Sequence, residues 1–226
     1  MIWNLATGVG YESYNMKTLI ELRTAINVSG NTFLPLSHGD KRRQQYIDGI
    51  KVFSSYYEEY KHCDVVLVDN TLESEDEIPR EIRDVLPEEA FLYVRLKNDY
   101  GKRNKGSGMI EMWREYSDIL TTYDYLFYYE PRLMLEDFSF IKSFLDNPRN
   151  YFCLAREDQV KTGYFGAEVK DMYEFYTQVD LDKMANNSVN LENMMFSFFK
   201  EKNTEFIKDA YYCLWHDAAK DKYVRY

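Results

Sequence analysis

Asp64 to Thr71 reads DVVLVDNT, and the fold turns on it. Five residues rich in valine match the length and β-branching of a strand buried on both faces. Asp69-Asn70-Thr71 then ends the run with residues suited to an Asx turn or to ligand contact. Upstream, Asp40 can cap a helix to about Lys61, with Tyr46, Ile50, Phe53, Tyr57 and Tyr60 along one side. Downstream, Phe91–Leu96 reads as a second strand and Ser107–Leu120 as a helix. Met109, Met112, Trp113, Tyr116, Ile119 and Leu120 form that helix's apolar stripe. Tyr123–Tyr129 is a further strand. Strand, helix, strand in this order implies βα units, hence a mostly parallel sheet flanked by helices in one α/β domain spanning residues 1–226.

The remaining segments extend the pattern. Ile2–Thr7 reads as a strand followed by Gly8 and Gly10, Met16–Ile26 as a helix, and Phe33–Leu36 as a short strand. Asp137 caps a helix through Leu145, and Tyr151–Ala155 is a strand. Val169–Val179 and Leu191–Lys202 are helices, and Ala210–Trp215 is a last strand. Leu72–Glu89 carries eight acids against Arg80 and Arg83, with Pro79 and Pro87. It reads as a surface connection around a short helix.

Composition removes several classes of function. A formal net charge of −10 disfavours duplex nucleic acid and anionic membrane surfaces. No apolar run approaches the roughly 20 residues of a membrane span. Met1 to Gly10 lacks the basic start of a signal peptide, so a cytoplasmic location is expected. Cys63, Cys153 and Cys213 are too few and scattered for a disulfide framework and read as reduced thiols. Cys213-x-x-His216 and the pair His62-Cys63 fall short of a zinc signature. Neither a Walker loop nor a G-x-S-x-G elbow is present. The 21 tyrosines are read as compositional bias.

Ligands of parallel sheets bind beyond the carboxyl ends of the strands, so the residues there are the functional candidates. Thr7-Gly8-Val9-Gly10 allows close backbone approach or a plain turn. Asp69 and Asn70 are placed to meet a nucleobase or ribose, or to close an Asx turn. From Arg95 to Lys105 there are five basic residues and one acid, a local positive cluster leading into a helix N-terminus, where anions are favoured. Glu130-Pro131-Arg132, Thr162-Gly163-Tyr164-Phe165-Gly166, Leu191-Glu192-Asn193 and Trp215-His216-Asp217 complete the set.

In this order, the segments resemble the nucleotide-sugar glycosyltransferases of the GT-A fold, family 2 above all. VVLVDNT is similar to that family's second-strand ending, and NKGSG (Asn104–Gly108) to its Asn-x-Gly segment. YDYLFYYEPR (Tyr123–Arg132) resembles the strand entering the DxD motif, and TGYFG the glycine-containing loop near diphosphate and acceptor. LEN occupies the place of xED, and WHD that of a C-terminal histidine. The resemblance implies a nucleotide-binding half (1–120) and an acceptor and catalytic half (121–226). It implies transfer of a sugar from a nucleotide-sugar donor to a hydroxyl of a glycan or lipid-linked glycan. Family frequency points to a UDP-sugar.

The resemblance carries roles with it. Thr7, Gly8, Asp69, Asn70, Lys105, Glu130, Gly163 and His216 would hold the donor. Glu192 would be the general base, with Asp217 in reserve. Two departures bear on the mechanism. Glu-Pro-Arg replaces DxD, so Arg132 stands where a second carboxylate would help hold Mn or Mg, and a guanidinium can bind diphosphate oxygens itself. The expectation is therefore catalysis without a cofactor, the alternative being a cation held by Glu130 and His216. Asn193 replaces the second acid of xED. The competing reading is a non-catalytic GT-A-like binding or interaction domain with eroded motifs.

Overall fold

The computed structural model describes residues 16–27, 39–208, 212–217 and 222–225, with backbone alone for 215–217 and 222–224. Its elements are β1 (Thr18–Thr24), α1 (Gly39–Ser54), α2 (Tyr57–Tyr60), β2 (Asp64–Asp69), α3 (Arg80–Arg83), β3 (Phe91–Val94), α4 (Lys105–Glu115), α5 (Ser117–Leu120), β4 (Tyr125–Tyr129) and β5 (Leu133–Leu135). There follow α6 (Ser139–Asp146), β6 (Asn150–Arg156), β7 (Gln159–Glu168), α7 (Val169–Gln178), α8 (Leu181–Asn186), α9 (Leu191–Phe199), β8 (Thr204–Ile207), β9 (Cys213–Asp217) and β10 (Lys222–Arg225).

The described strands form a seven-stranded sheet, β3-β2-β1-β4-β7-β6-β8, and a small sheet β10-β9-β5. β3, β2, β1 and β4 are mutually parallel, and β7 runs antiparallel to β4 and β6. One face packs Ile20, Leu22, Leu67 and Phe127 against Tyr46, Ile50 and Phe53 of α1 and Phe140 and Phe144 of α6. The other packs Leu19, Val66, Val68, Leu126 and Phe165 against Met112 and Trp113 of α4 and Met195 and Phe199 of α9. The result is the expected α/β layering, with a mostly parallel sheet buried on both sides.

Three expectations need correction. Met16–Ile26 is not a helix: Thr18–Thr24 is an interior strand of the sheet, buried at all seven positions. Its Leu, Glu and Arg are good helix formers, but pairing with β2 and β4 on either side overrides propensity. TGYFG is not a loop but part of the ten-residue β7. A Cβ on Gly166 would come within 2.2 Å of the Phe144 ring, so this glycine serves packing. The two long helices are each broken, at Ser55–Tyr56 and at Tyr116. Strand 2–7, with Thr7, Gly8 and Gly10, and strand 33–36 lie outside the described residues.

One glycine aligns the site. Gly49, in the middle of α1, faces the backbone of Pro131, and a Cβ there would lie 1.7 Å from the Pro131 carbonyl oxygen. Backbone cannot swing aside as a side chain can. Gly49→Ala is expected to destabilise the fold by roughly 2–3 kcal/mol, as overpacking does. Urea unfolding checks this; an unchanged midpoint would mean that α1 does not press on the Glu130–Arg132 turn.

Candidate active site

The carboxyl ends of β1, β2, β3 and β4 open into a cavity of about 510 Å³. Its walls come from the ends of the strands and the segments after them: Thr24 at the end of β1, Ala25 and Asn27 after it, Asn70 and Thr71 after β2, and Glu130 and Arg132 after β4. The basic loop 97–104 and the start of α4 form a further wall. That loop is held by several contacts. Tyr100 N donates to Glu111 Oε2 at 3.1 Å, and Asn70 Nδ2 reaches Lys97 O at 3.2 Å. Gly108 lies so close to Gly101 that a Cβ on it would meet the Gly101 Cα at 2.6 Å. Asn104 caps α4 by accepting from Ser107 N at 3.0 Å, which starts the helix beside the cavity.

Glu130 is the electrostatic centre. Its Oε2 accepts from Lys105 Nζ at 3.2 Å, and its Oε1 from Arg132 Nε at 2.8 Å and from Arg132 Nη2. Burial opposes ionisation, but the Arg132, Lys105 and Arg42 charges outweigh it and hold the Glu130 carboxyl well below the usual carboxylate range. Arg42 is aimed by Ala25 O, at 2.8 Å from its Nε, and by the Tyr46 hydroxyl at 3.2 Å. Among the described residues three cations thus face one carboxylate, an excess of two positive charges in a partly buried pocket. Lys102 and Arg103 add positive charge around the cavity. An anion is what such a pocket stabilises.

A second cavity of about 260 Å³ adjoins the first and shares Asn104, Lys105 and Met109 with it. Glu192, Thr162 and Asn190 line it. Asn190 caps α9 by accepting from Glu192 N at 2.8 Å, and Thr162 Oγ1 donates to Glu192 Oε1 at 3.1 Å. Ser188, with φ of 51°, turns the chain at its rim. β7 joins the two cavities. Gly163 O accepts from Glu130 N at 2.7 Å, and the adjacent Thr162 holds Glu192.

The candidates named from sequence therefore fall into groups. Asn70, Lys105, Glu130 and Arg132 line the larger cavity, Glu192 the smaller, and Gly163 lies between them as backbone. Asp69 is fully buried and engaged elsewhere. It accepts from Thr24 Oγ1 and Ile26 N on one oxygen and from Thr71 N and Oγ1 on the other, at 2.6–2.9 Å. It braces the strand ends that carry Asn70 and Thr71. Asn193 ties α9 to the β6–β7 hairpin, donating to Asp158 O at 2.9 Å. Trp215 pairs with Leu133, so the backbone of His216 and Asp217 runs beside the Arg132 segment; their side chains are outside the description. Arg23, Arg42 and Tyr46 line the larger cavity without having stood out in the sequence. Arg42 and Tyr46 sit on a helix one turn apart, a spacing that no motif distinguishes from packing.

Among the described residues, no group of three His, Cys, Asp or Glu could hold a metal, and no helix is long and apolar enough to cross a membrane. No family model and no curated protein matches the chain. Solved structures do. A protein from Desulfovibrio desulfuricans G20 assigned as a nucleotide-diphospho-sugar transferase superposes with a TM-score of 0.53 at 9% identity, over 85% of this chain and 79% of that one. Residues 1–349 of Staphylococcus aureus TarS give 0.51 at 10% identity, over 88% of this chain and 60% of that one. The apo form of the glycosyltransferase GlyE from Streptococcus pneumoniae TIGR4 gives 0.50 at 14%, over 86% of this chain and 45% of that one. The chain thus spans about half the length of GlyE and rather more of the TarS segment. At these identities the likeness is one of fold alone: a mostly parallel sheet flanked by helices, shared with these three structures.

Proposed function

We propose that the chain is a glycosyltransferase that moves a sugar from a nucleotide-sugar donor to a hydroxyl of a glycan or lipid-linked glycan. The observation that carries this reading is the pair of adjoining cavities, one with an excess of positive charge and one with the Glu192 carboxylate, meeting at Lys105. The excess of two cations among the described residues matches the two negative charges of a donor diphosphate. Asn27, Asn70 and Thr71 supply neutral hydrogen-bonding groups suited to a nucleoside. In the transfer, Glu192 takes the proton of the acceptor hydroxyl as its oxygen bonds to the sugar's anomeric carbon. The bond from that carbon to the diphosphate breaks, and Arg132, Lys105 and Arg42 stabilise the charge developing on the departing phosphate.

In this reading Glu130 serves as a partner of cations rather than as a metal ligand. Both oxygens of Glu130 already accept from cations, and Arg132 occupies the place of a second acid. The reading therefore assigns leaving-group stabilisation to the chain's own cations. Calorimetry with a panel of nucleotide sugars, in EDTA and again with manganese, tests it. Binding and turnover are expected in EDTA, with less than about twofold gain from the metal, since bidentate guanidinium contacts to phosphate are strong without one. A chain that gives neither heat nor product under either condition is the non-catalytic domain instead.

A further inference from the structure

Beneath the anion end of the larger cavity lies an ion pair that no motif announces. Glu21 and Arg23 alternate with leucine on the interior strand β1 and share its α4 face. Glu21 is fully buried; its Oε2 accepts from Trp113 Nε1 at 3.2 Å and from the Tyr116 hydroxyl, both on the α4 side of the sheet. Its Oε1 accepts from Arg23 Nε at 2.7 Å and lies 2.6 Å from Nη2, so Glu21 takes the side edge of the guanidinium. Nη2 meets Glu21 only as an ion pair, without a well-angled hydrogen bond, and among the described residues Nε alone donates one. Arg23 is only 5% exposed, yet it lines the cavity, with the Tyr128 ring 5.8 Å from its guanidinium carbon. Leu22 pairs with Tyr129, which brings Arg23 beside Glu130, the residue that follows β4.

Stability does not account for this pair. Burying two charges in an interior strand is costly, and an apolar pair of the same volume is often as stable or more so. A rigid guanidinium that lines the cavity does have a use once an anion enters, because two parallel N–H donors match two phosphoryl oxygens. Glu21 balances its charge, so the pair adds directed donors without adding net charge to the cavity.

We infer that Arg23, held in place by Glu21, is a diphosphate-binding residue of the donor site, its guanidinium meeting phosphoryl oxygens beside Arg132 where it lines the cavity. This rests on the donor reading above. Two variants test it. Arg23→Lys keeps a cation for Glu21 but lacks the planar fork, and Glu21→Met with Arg23→Met removes both charges at similar volume. Each is titrated calorimetrically in EDTA, alongside wild type, with UDP, GDP, ADP and CDP and with the matching nucleosides. Both variants are expected to lose about tenfold or more in affinity for the preferred diphosphate, and less than about twofold for its nucleoside. Unchanged diphosphate affinity, an equal loss for the nucleoside, or failure of both variants to fold overturns the role of Arg23. A wild-type chain that binds none of the four diphosphates overturns the donor reading itself.

Discussion

Replacing Glu192 by Gln is expected to lower turnover by about 100-fold or more while donor affinity changes by less than about twofold. The amide keeps the shape and can still accept from Thr162 Oγ1, so the bond to β7 and the start of α9 survive. What it loses is the capacity to take a proton. Because Glu192 lines the smaller cavity and not the larger one, the proposed donor cavity is untouched. Single-turnover kinetics with saturating donor separate the two effects. Turnover within about threefold of wild type would remove Glu192 as the base, since a positioned base contributes far more than that. A rise in donor dissociation constant with normal turnover would place it in donor binding instead.

Arg132→Ala has the second large expected effect. Arg132 grips Glu130 and lines the anion end of the cavity, with the Tyr46 ring 5.9 Å from its guanidinium carbon. Truncating one partner of a buried charge pair costs roughly 2–5 kcal/mol at a binding site, so nucleoside diphosphate affinity should fall about 100-fold. If the nucleoside takes the far end of the cavity, as proposed, it should lose less than about threefold by the same relation. Arg132→Lys retains a charge without the fork and should fall between. Thermal melting accompanies both titrations, because Glu130 then keeps only Lys105 and Arg42 for company. Equal loss for nucleoside and diphosphate contradicts phosphate contact.

The elements that were legible in the sequence are those whose residues argue alone. DVVLVD forms β2 because a valine-rich run buried on both faces has no better conformation. The stripe from Met109 to Trp113 forms α4, and Asn104 caps it within four residues of chain. Asp137 turns the chain into α6 by accepting from Ser139 N at 2.8 Å. Of the site, Glu130, Arg132, Lys105 and Glu192 were visible as charges placed after strands or at helix starts. β7 was not legible, because Lys161, Thr162, Gly163 and Gly166 deny it the look of a strand. Its case rests on β4 and β6 on either side.

What the order of residues determined by itself is the alternation of strands and helices, the acidic surface, and the cluster of cations between Arg95 and Lys105. What only the tertiary structure decided is which charges meet. Residues 21 and 23 diverge on a helix of period 3.6 and share a face on a strand of period 2. Their chemistry therefore depends on β2 and β4, more than forty and a hundred residues away, claiming Thr18–Thr24 for the sheet. The same holds for Glu130. Its cation neighbours come from α1, from α4 and from the turn after β4, and only the packed sheet brings those three together.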